Sequence, residues 1–328
     1  MRDNLPMHML ISHAGALGPH CSGAIAQLKL PNLETLLGLL TPTAPTLGSP
    51  DSLTPLAERI RARQLGLPDT DGLIPWAAHD AQQRGLTAQH DNAGWAWISM
   101  CHLHMLSNQV VMDDPHDLQL TADECAALMS AMGRYFEEDA ITLHPLSNGT
   151  MLACGSVFKD LPTASLDRVA CTTVDTWTPQ LAQARSLRRL QNEMQMLLHT
   201  HWVNEARIAI KLPTANAFWV SATGQLASAP TRPPANANAS ISGPVQWINL
   251  LRPSALRDDA LAWQAAWQAL DQSHLGELLQ RAKNGQSVKL SLCGDHQCVN
   301  LELKDSGWWS RMQRRFTRVA PHQLIESL

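Results

Sequence analysis

The stretch that most constrains this chain lies past its midpoint. It reads His201-Trp202-Val203-Asn204-Glu205-Ala206-Arg207, then seven residues, then Ala215-Asn216-Ala217-Phe218-Trp219, closing at Gly224. Arginine offers a planar fork suited to phosphate or carboxylate, and asparagine supplies both donor and acceptor. His201, Asn204, Arg207 and Asn216 are therefore candidate ligand contacts. The same side chains suit a second role, in which they satisfy buried backbone groups at an irregular helix end and Trp219 is core. Both roles stay open at the level of sequence.

With 328 residues, 45% of them apolar, the chain can build one large α/β unit with an insertion or two modest domains. Charged residues reach only 16%, against roughly 25% in an average soluble protein. Eleven tryptophans against one tyrosine put much buried area on a few indoles. A net charge of −4 and a pI near 6.4 give no electrostatic reason to bind nucleic acid or an anionic membrane. No apolar run approaches the roughly 18 residues of a membrane span. The start, Met1-Arg2-Asp3-Asn4, lacks a signal-peptide pattern. Seven cysteines at scattered positions form no disulfide framework, so a cytoplasmic chain with reduced thiols is expected. Cys101-His102-x-His104 and Cys293-x-x-His296-x-Cys298 hold soft ligands without the paired spacings of a structural zinc site, and read as core or hairpin residues.

Residues 7–12 read as a buried first strand, followed by a helix start at Leu30-Pro31-Asn32-Leu33. A Pro/Thr/Ser-rich stretch at 41–55 leads to a helix over 55–65. Residues 96–112 are strand-like and rich in His and Met. Thr121-Ala-Asp-Glu124 makes a capping box for a helix with Leu128, Met129, Met132 and Phe136 on one face. Strand-like runs follow at 140–144 and 150–158. A helix over about 179–200 carries the stripe Leu187, Leu190, Met194 and Leu197. Residues 225–244 read as linker. A helical stretch over 254–284 bears Trp263, Trp267 and Leu270 and stops at Gly285. Last comes a hairpin, Val288-x-Leu290-x-Leu292 and Val299-x-Leu301-x-Leu303, turning at Gly294-Asp295-His296-Gln297.

The 201–224 spacing resembles the His-Pro-x-Asn-x-x-Arg … Pro-Ala-Asn-x-x-Trp-x-Trp-Gly-x-Gly signature of the archaeal-type, cofactor-independent phosphoglycerate mutases of the alkaline phosphatase superfamily. It resembles still more closely their divergent bacterial branch of RpfE-type regulatory proteins. Leu30 to Leu37 is similar to the Thr-Pro-Asn-Leu-x-x-Leu helix start near the N-terminus of that superfamily. The resemblance implies an α/β fold with a three-layer alkaline-phosphatase-like core at 1–74 and 176–328, and an inserted smaller α+β domain at 75–175. It also places His201, Asn204, Arg207 and Asn216 near a cleft. Trp202 stands where the family has proline, Lys211 where it has glycine, and Pro213 one position early, with Thr214 at the family's proline.

The family's chemistry needs a Ser or Thr nucleophile and two divalent metals that neutralise charge on the phosphoryl group. The first ligand there is an Asp directly after strand one. Here that place reads Ser12-His13-Ala14-Gly15-Ala16: the glycine persists without the carboxylate, and His13 is the candidate ligand. Ser52 and Thr54 are the candidate nucleophiles, beside Ser49, although proline-flanked hydroxyls are also ordinary turn residues. Asp295 and His296 are candidates for a second metal position, although a hairpin turn explains them without one. Asp258 and Asp259 suit a helix start.

Three expectations follow. The first is a mutase-like protein with a degenerate metal site and no cofactor, regulatory or binding a small phosphorylated or carboxylated metabolite at Arg207. The second is an active mutase or phosphatase using Mn or Zn through His13, Asp295, His296 and Ser52 or Thr54. The third is an interaction module with a Trp-rich surface. The basic, aromatic segment 308–318 is expected to be an amphipathic terminal helix.

Overall fold

The structure is a computed structural model that describes residues 7–87, 93–226, 245–303 and 320–328. The expected linker at 225–244 and the helix at 308–318 lie almost wholly outside the described residues. The chain is mixed α/β, with three sheets among the described residues, and divides into two compact units. The first unit is Met1–Asp51, Pro55–Gln64 and Pro233–Leu328; the second is Ser52–Thr54 and Leu65–Arg232.

The first unit opens with β1 (Met7–Ile11). Helices α1 (Pro19–Ala24) and α2 (Pro31–Leu39) each begin on a proline, whose missing N–H has no intrahelical partner to lose there. Two short strands follow, β2 (Thr41–Pro42) and β3 (Thr46–Leu47), and then α3 (Leu56–Gln64).

The second unit holds α4 (Trp76–Gln83), β4 (Gly94–Cys101), β5 (Leu103–Leu106), β6 (Gln109–Met112) and α5 (Ala122–Glu138). It continues through β7 (Thr142–Pro145), β8 (Thr150–Gly155), α6 (Leu166–Val169), α7 (Arg185–His199), α8 (Trp202–Ala209) and β9 (Ala217–Gly224).

The chain then re-enters the first unit with β10 (Val245–Ile248), α9 (Arg252–Leu256), α10 (Ala260–Leu270), α11 (Gly276–Lys283), β11 (Val288–Cys293), β12 (Gln297–Glu302) and α12 (Pro321–Glu326). The expected single helical run over 254–284 is instead α9, α10 and α11, the last two joined through a π turn at Asp271–Leu275. Gly285, at φ +73, ends α11 as the sequence suggests.

In the first unit the strand order is β10-β1-β11-β12-β2, with β3 also on β12. β1 runs parallel to both neighbours, and β12 returns antiparallel to β11. Successive side chains alternate between faces. Met9, Ile11, Leu290 and Leu292 meet Leu33 and Leu36 of α2, Trp263 and Trp267 of α10 and Leu278 of α11. On the other face Leu10, Cys293 and Cys298 meet Leu56 and Ile60 of α3. The two indoles of α10 pack edge to face at 6.1 Å, and both are fully buried. Most described tryptophans are buried or half-buried, with Trp202 the exposed exception.

The second unit is built on a sheet ordered β7-β8-β4-β9, with β5 and β6 as a separate hairpin. Helices α5 and α7 cover the sheet through Leu128, Met132, Phe136, Leu187, Leu190 and Met194. The fourth residue of the α7 stripe is Leu198, and Leu197 is only half-buried. The expected boundary at 175 moves. Residues 176–224 belong with the second unit, because β9 pairs along β4 from Trp95–Gly224 to Cys101–Ala217. Strand pairing between segments so far apart in sequence leaves no local composition signal. All seven cysteines are free thiols in this structure. No helix among the described residues is long and apolar enough to cross a membrane.

Candidate functional site

The 201–219 segment forms a polar buckle in the second unit. His201 caps α8: its Nδ1 accepts from the Val203 N–H at 3.3 Å, and burial lowers its pKa. Asn204 is buried in the first turn of α8 and reaches the backbone on both sides of the helix in sequence. Its amide donates to the Leu198 carbonyl at 2.8 Å and the Ala215 carbonyl at 2.9 Å, and its oxygen accepts from the Ala215 N–H at 2.9 Å. Arg207 is 1% exposed. Its Nε donates to the Pro213 carbonyl at 2.7 Å, Nη1 bridges both Glu124 oxygens at 3.0 and 3.1 Å, and Nη2 donates to the Leu118 carbonyl at 2.5 Å. Asn216 pairs its amide with both backbone groups of Leu103, at 2.8 Å each. Trp219 is core, and its indole N–H donates to the Ala164 carbonyl at 3.1 Å.

Thus Asn204, Arg207 and Asn216 turn polar atoms to the protein's own backbone and to Glu124, and His201 does so through Nδ1. Arg207 reaches Glu124, the residue that also closes the capping box on Thr121. Burial pushes the Glu124 carboxyl up, yet the Thr121 amide and the Arg207 guanidinium outweigh it and hold it below the ordinary range. A partly buried, hydrogen-bonded pair of this kind is costly to break from one side.

Two departures from the family pattern fall on backbone positions rather than chemical ones. Trp202 is the first residue of α8, the position where proline is well tolerated. Lys211 has φ +60 and follows the C-cap Ile210. Leu212 N–H bonds to the Arg207 carbonyl and Lys211 N–H to the Ile208 carbonyl, the paired bonds of a Schellman ending. Glycine adopts that left-handed conformation freely and lysine does so at a cost.

The expected catalytic residues are distributed between the units. Ser52 and Thr54 belong to the second unit; His13, Asp295 and His296 belong to the first. Ser52 Oγ donates to the Thr54 carbonyl at 2.9 Å and accepts from Arg168 Nη2 at 3.0 Å. Thr54 Oγ1 is buried and accepts from the Gly72 N–H at 2.9 Å. Gly72 has φ +70, so the turn that presents this N–H favours glycine. His296 N–H bonds to the Leu328 carbonyl at 2.9 Å, in the turn between β11 and β12. Cys293 and Cys298 face each other across that hairpin, and burial pushes the Cys293 thiol well above its ordinary pKa.

At the carboxyl ends of β1 and β10, where open α/β sheets commonly bind ligands, the Ser12 hydroxyl meets the Asn249 amide. Ser12 Oγ lies 2.7 Å from Asn249 Oδ1 and 3.2 Å from the Ile248 carbonyl. Three of the first unit's carboxylates serve helix starts. Asp258 accepts from the N–H groups of His20 and Cys21 at α1, and Asp259 caps α10 through Ala262 N–H. Asp271, from the π turn, accepts from the N–H groups of Asn32 and Leu33 at α2. Burial raises its pKa despite those bonds. Asn249 and Asp271 carried no sequence signal for these roles.

Among the described residues, His102, His104 and Asp113 form a group whose candidate ligand atoms all lie within 4.8 Å of one another. His13, Asp295 and His296 form no such group. The two histidines were visible as Cys101-His102-x-His104; Asp113 was not, because the β5–β6 turn lacks a strong signal. Its central residues are Ser107 and Asn108, both at positive φ, where Asn-Gly or Asp-Gly would have announced the hairpin.

No family model matches the chain, and no curated protein sequence matches it. Two solved structures align with most of it. The PH0037 protein from Pyrococcus horikoshii does so at 11% identity over 98% of this chain and 95% of that one, with a TM-score of 0.49. A cofactor-independent phosphoglycerate mutase from Thermoplasma acidophilum DSM 1728 does so at 13% identity over 92% and 91%, with a TM-score of 0.36. Both scores lie under 0.5, so neither likeness carries an argument about chemistry or fold.

Proposed function

We propose that this chain is a phosphoglycerate-mutase-like protein, of the RpfE-type branch of the alkaline phosphatase superfamily, that does not transfer phosphoryl groups and acts by binding. On this reading the first unit is the superfamily's three-layer core, the second is its inserted domain, and no two-metal cofactor is used. The protein works in the cytoplasm on a small phosphorylated or carboxylated metabolite, without nucleic acid or membrane.

The observation that carries the reading is the Ser12–Asn249 bridge at the carboxyl ends of β1 and β10. The family pattern puts a metal-binding carboxylate directly after strand one, and two divalent ions there offset the charge of the phosphoryl group. A hydroxyl bonded to an amide brings no charge to that place. Two further features support it. Asp258, Asp259 and Asp271 are committed to helix starts, and the Thr54 hydroxyl is buried in a turn.

The test is turnover of 3-phosphoglycerate and of an aryl phosphate, with Mn and with Zn supplied. The reading expects rates equal to buffer alone. Turnover that disappears in Ser52→Ala or Thr54→Ala overturns it and establishes the metal-dependent mutase or phosphatase alternative.

A further inference from the structure

The β5–β6 hairpin gathers ligands that the proposed function does not use. Leu103 pairs with Met112 and His104 with Val111, so the same register sets His102 opposite Asp113. Side chains two apart on a strand share a face. His102, His104 and Asp113 therefore stand on one face of the ribbon, while Met112 on the opposite face is fully buried.

We propose that His102, His104 and Asp113 bind one divalent transition-metal ion of the zinc type. His104 Nδ1 and Asp113 Oδ1 are 3.4 Å apart. That exceeds the 2.7–2.9 Å of a charge-assisted hydrogen bond. It equals the edge, about 3.4 Å, of a tetrahedron whose metal–ligand bonds are about 2.0–2.1 Å. The ring of His102 stacks beside that of His104, with centroids 6.0 Å apart and planes 21° apart.

The surroundings prepare the site. His102 Nδ1 lies 2.8 Å from the Thr214 carbonyl, which accepts its proton and leaves the lone pair on Nε2. A carbonyl behind a ligating imidazole is the usual way to set its tautomer and orientation. Asn216 holds Leu103, the residue between the two histidines, by both backbone groups. The Asp113 N–H bonds to the His102 carbonyl at 3.0 Å. Asn204 in turn holds Ala215. The polar buckle thus fixes the backbone that carries the ligands, which gives the 204–216 segment a role besides stability.

Two imidazoles and one carboxylate favour zinc-type ions over Mg or Ca, which take oxygen ligands. The His104 and Asp113 side chains are 38% and 43% exposed, so an ion can enter and a water can complete its shell. Three protein ligands and an open position separate this site from a closed structural zinc centre.

The test uses the full chain, free of any affinity tag and stripped with a chelator. Zn is titrated calorimetrically, and Co is titrated by visible absorption. The expected result is a single equivalent bound at micromolar affinity or tighter, weakened at least ~10-fold in His104→Ala and in Asp113→Asn. Both side chains are part-exposed, so circular dichroism and the thermal midpoint of the stripped protein stay unchanged. Absence of uptake, or uptake equal in wild type and both variants, overturns the proposal.

Discussion

The carboxyl ends of β1 and β10 and the face of the β5–β6 hairpin use polar side chains in opposite ways. At the strand ends the first unit places a hydroxyl against an amide. Near the start of β1, Gln64 donates to His8 Nδ1, His8 Nε2 to Ser291, and Ser291 to Asn300, at 3.1, 2.7 and 2.6 Å. This relay requires a neutral imidazole, because Nδ1 must accept. Burial, helped by Lys289, lowers the His8 pKa to about 4. On the hairpin, by contrast, two imidazoles and a carboxylate collect on one part-exposed face. The buckle behind them contains the Arg207–Glu124 pair. The contrast teaches that Ser12 and Asn249 satisfy each other at the strand ends, whereas the hairpin holds potential metal ligands together on one face.

The largest predicted effect breaks the buckle. Arg207→Ala leaves Glu124 and the Leu118 and Pro213 carbonyls without their donor, and should cost about 3–5 kcal/mol in urea unfolding. A loss under about 1 kcal/mol, with metabolite binding abolished, would instead return Arg207 to a ligand role. Next comes the His8 relay. Its folded pKa lies below the unfolded value, so its contribution is complete above the unfolded pKa and is lost as pH falls toward about 4. The full swing is on the order of 3 kcal/mol. His8→Gln should flatten the stability profile between pH 6.5 and 4; an unchanged slope would show that the relay does not hold the imidazole neutral. Asn204→Ala should cost about 2 kcal/mol, because the Ala215 N–H and two carbonyls lose their partner. It should also weaken Zn uptake by the hairpin, and stability loss without that change would uncouple the two. The smallest effect is Lys211→Gly, which should add about 1 kcal/mol by relieving the left-handed residue. A loss there would contradict the Schellman ending.

Much of the fold was legible where periodicity is local. The Thr121–Glu124 box, the Leu128–Met132–Phe136 stripe, the Gly285 stop and the β11–β12 hairpin are found as the residues suggest. The unit boundary was not, since β9 joins β4 through pairing that no local pattern encodes. In the candidate site, the residue types of the 201–219 motif left a ligand role and the satisfying of buried backbone equally open. Asn204 and Asn216 each address backbone that only the folded turn brings near. His102 and His104 were visible as a pair, and the carboxylate that completes them was hidden by a Ser107-Asn108 turn of weak signature.

Where a divalent ion settles decides between the two regions, and anomalous diffraction from crystals soaked in Zn and, separately, in Mn measures that directly. The predicted map holds a zinc peak between His102, His104 and Asp113, and none beside Ser12 and Asn249. A pair of manganese peaks at the carboxyl end of β1, ligated by His13, Asp295 or His296, would contradict it.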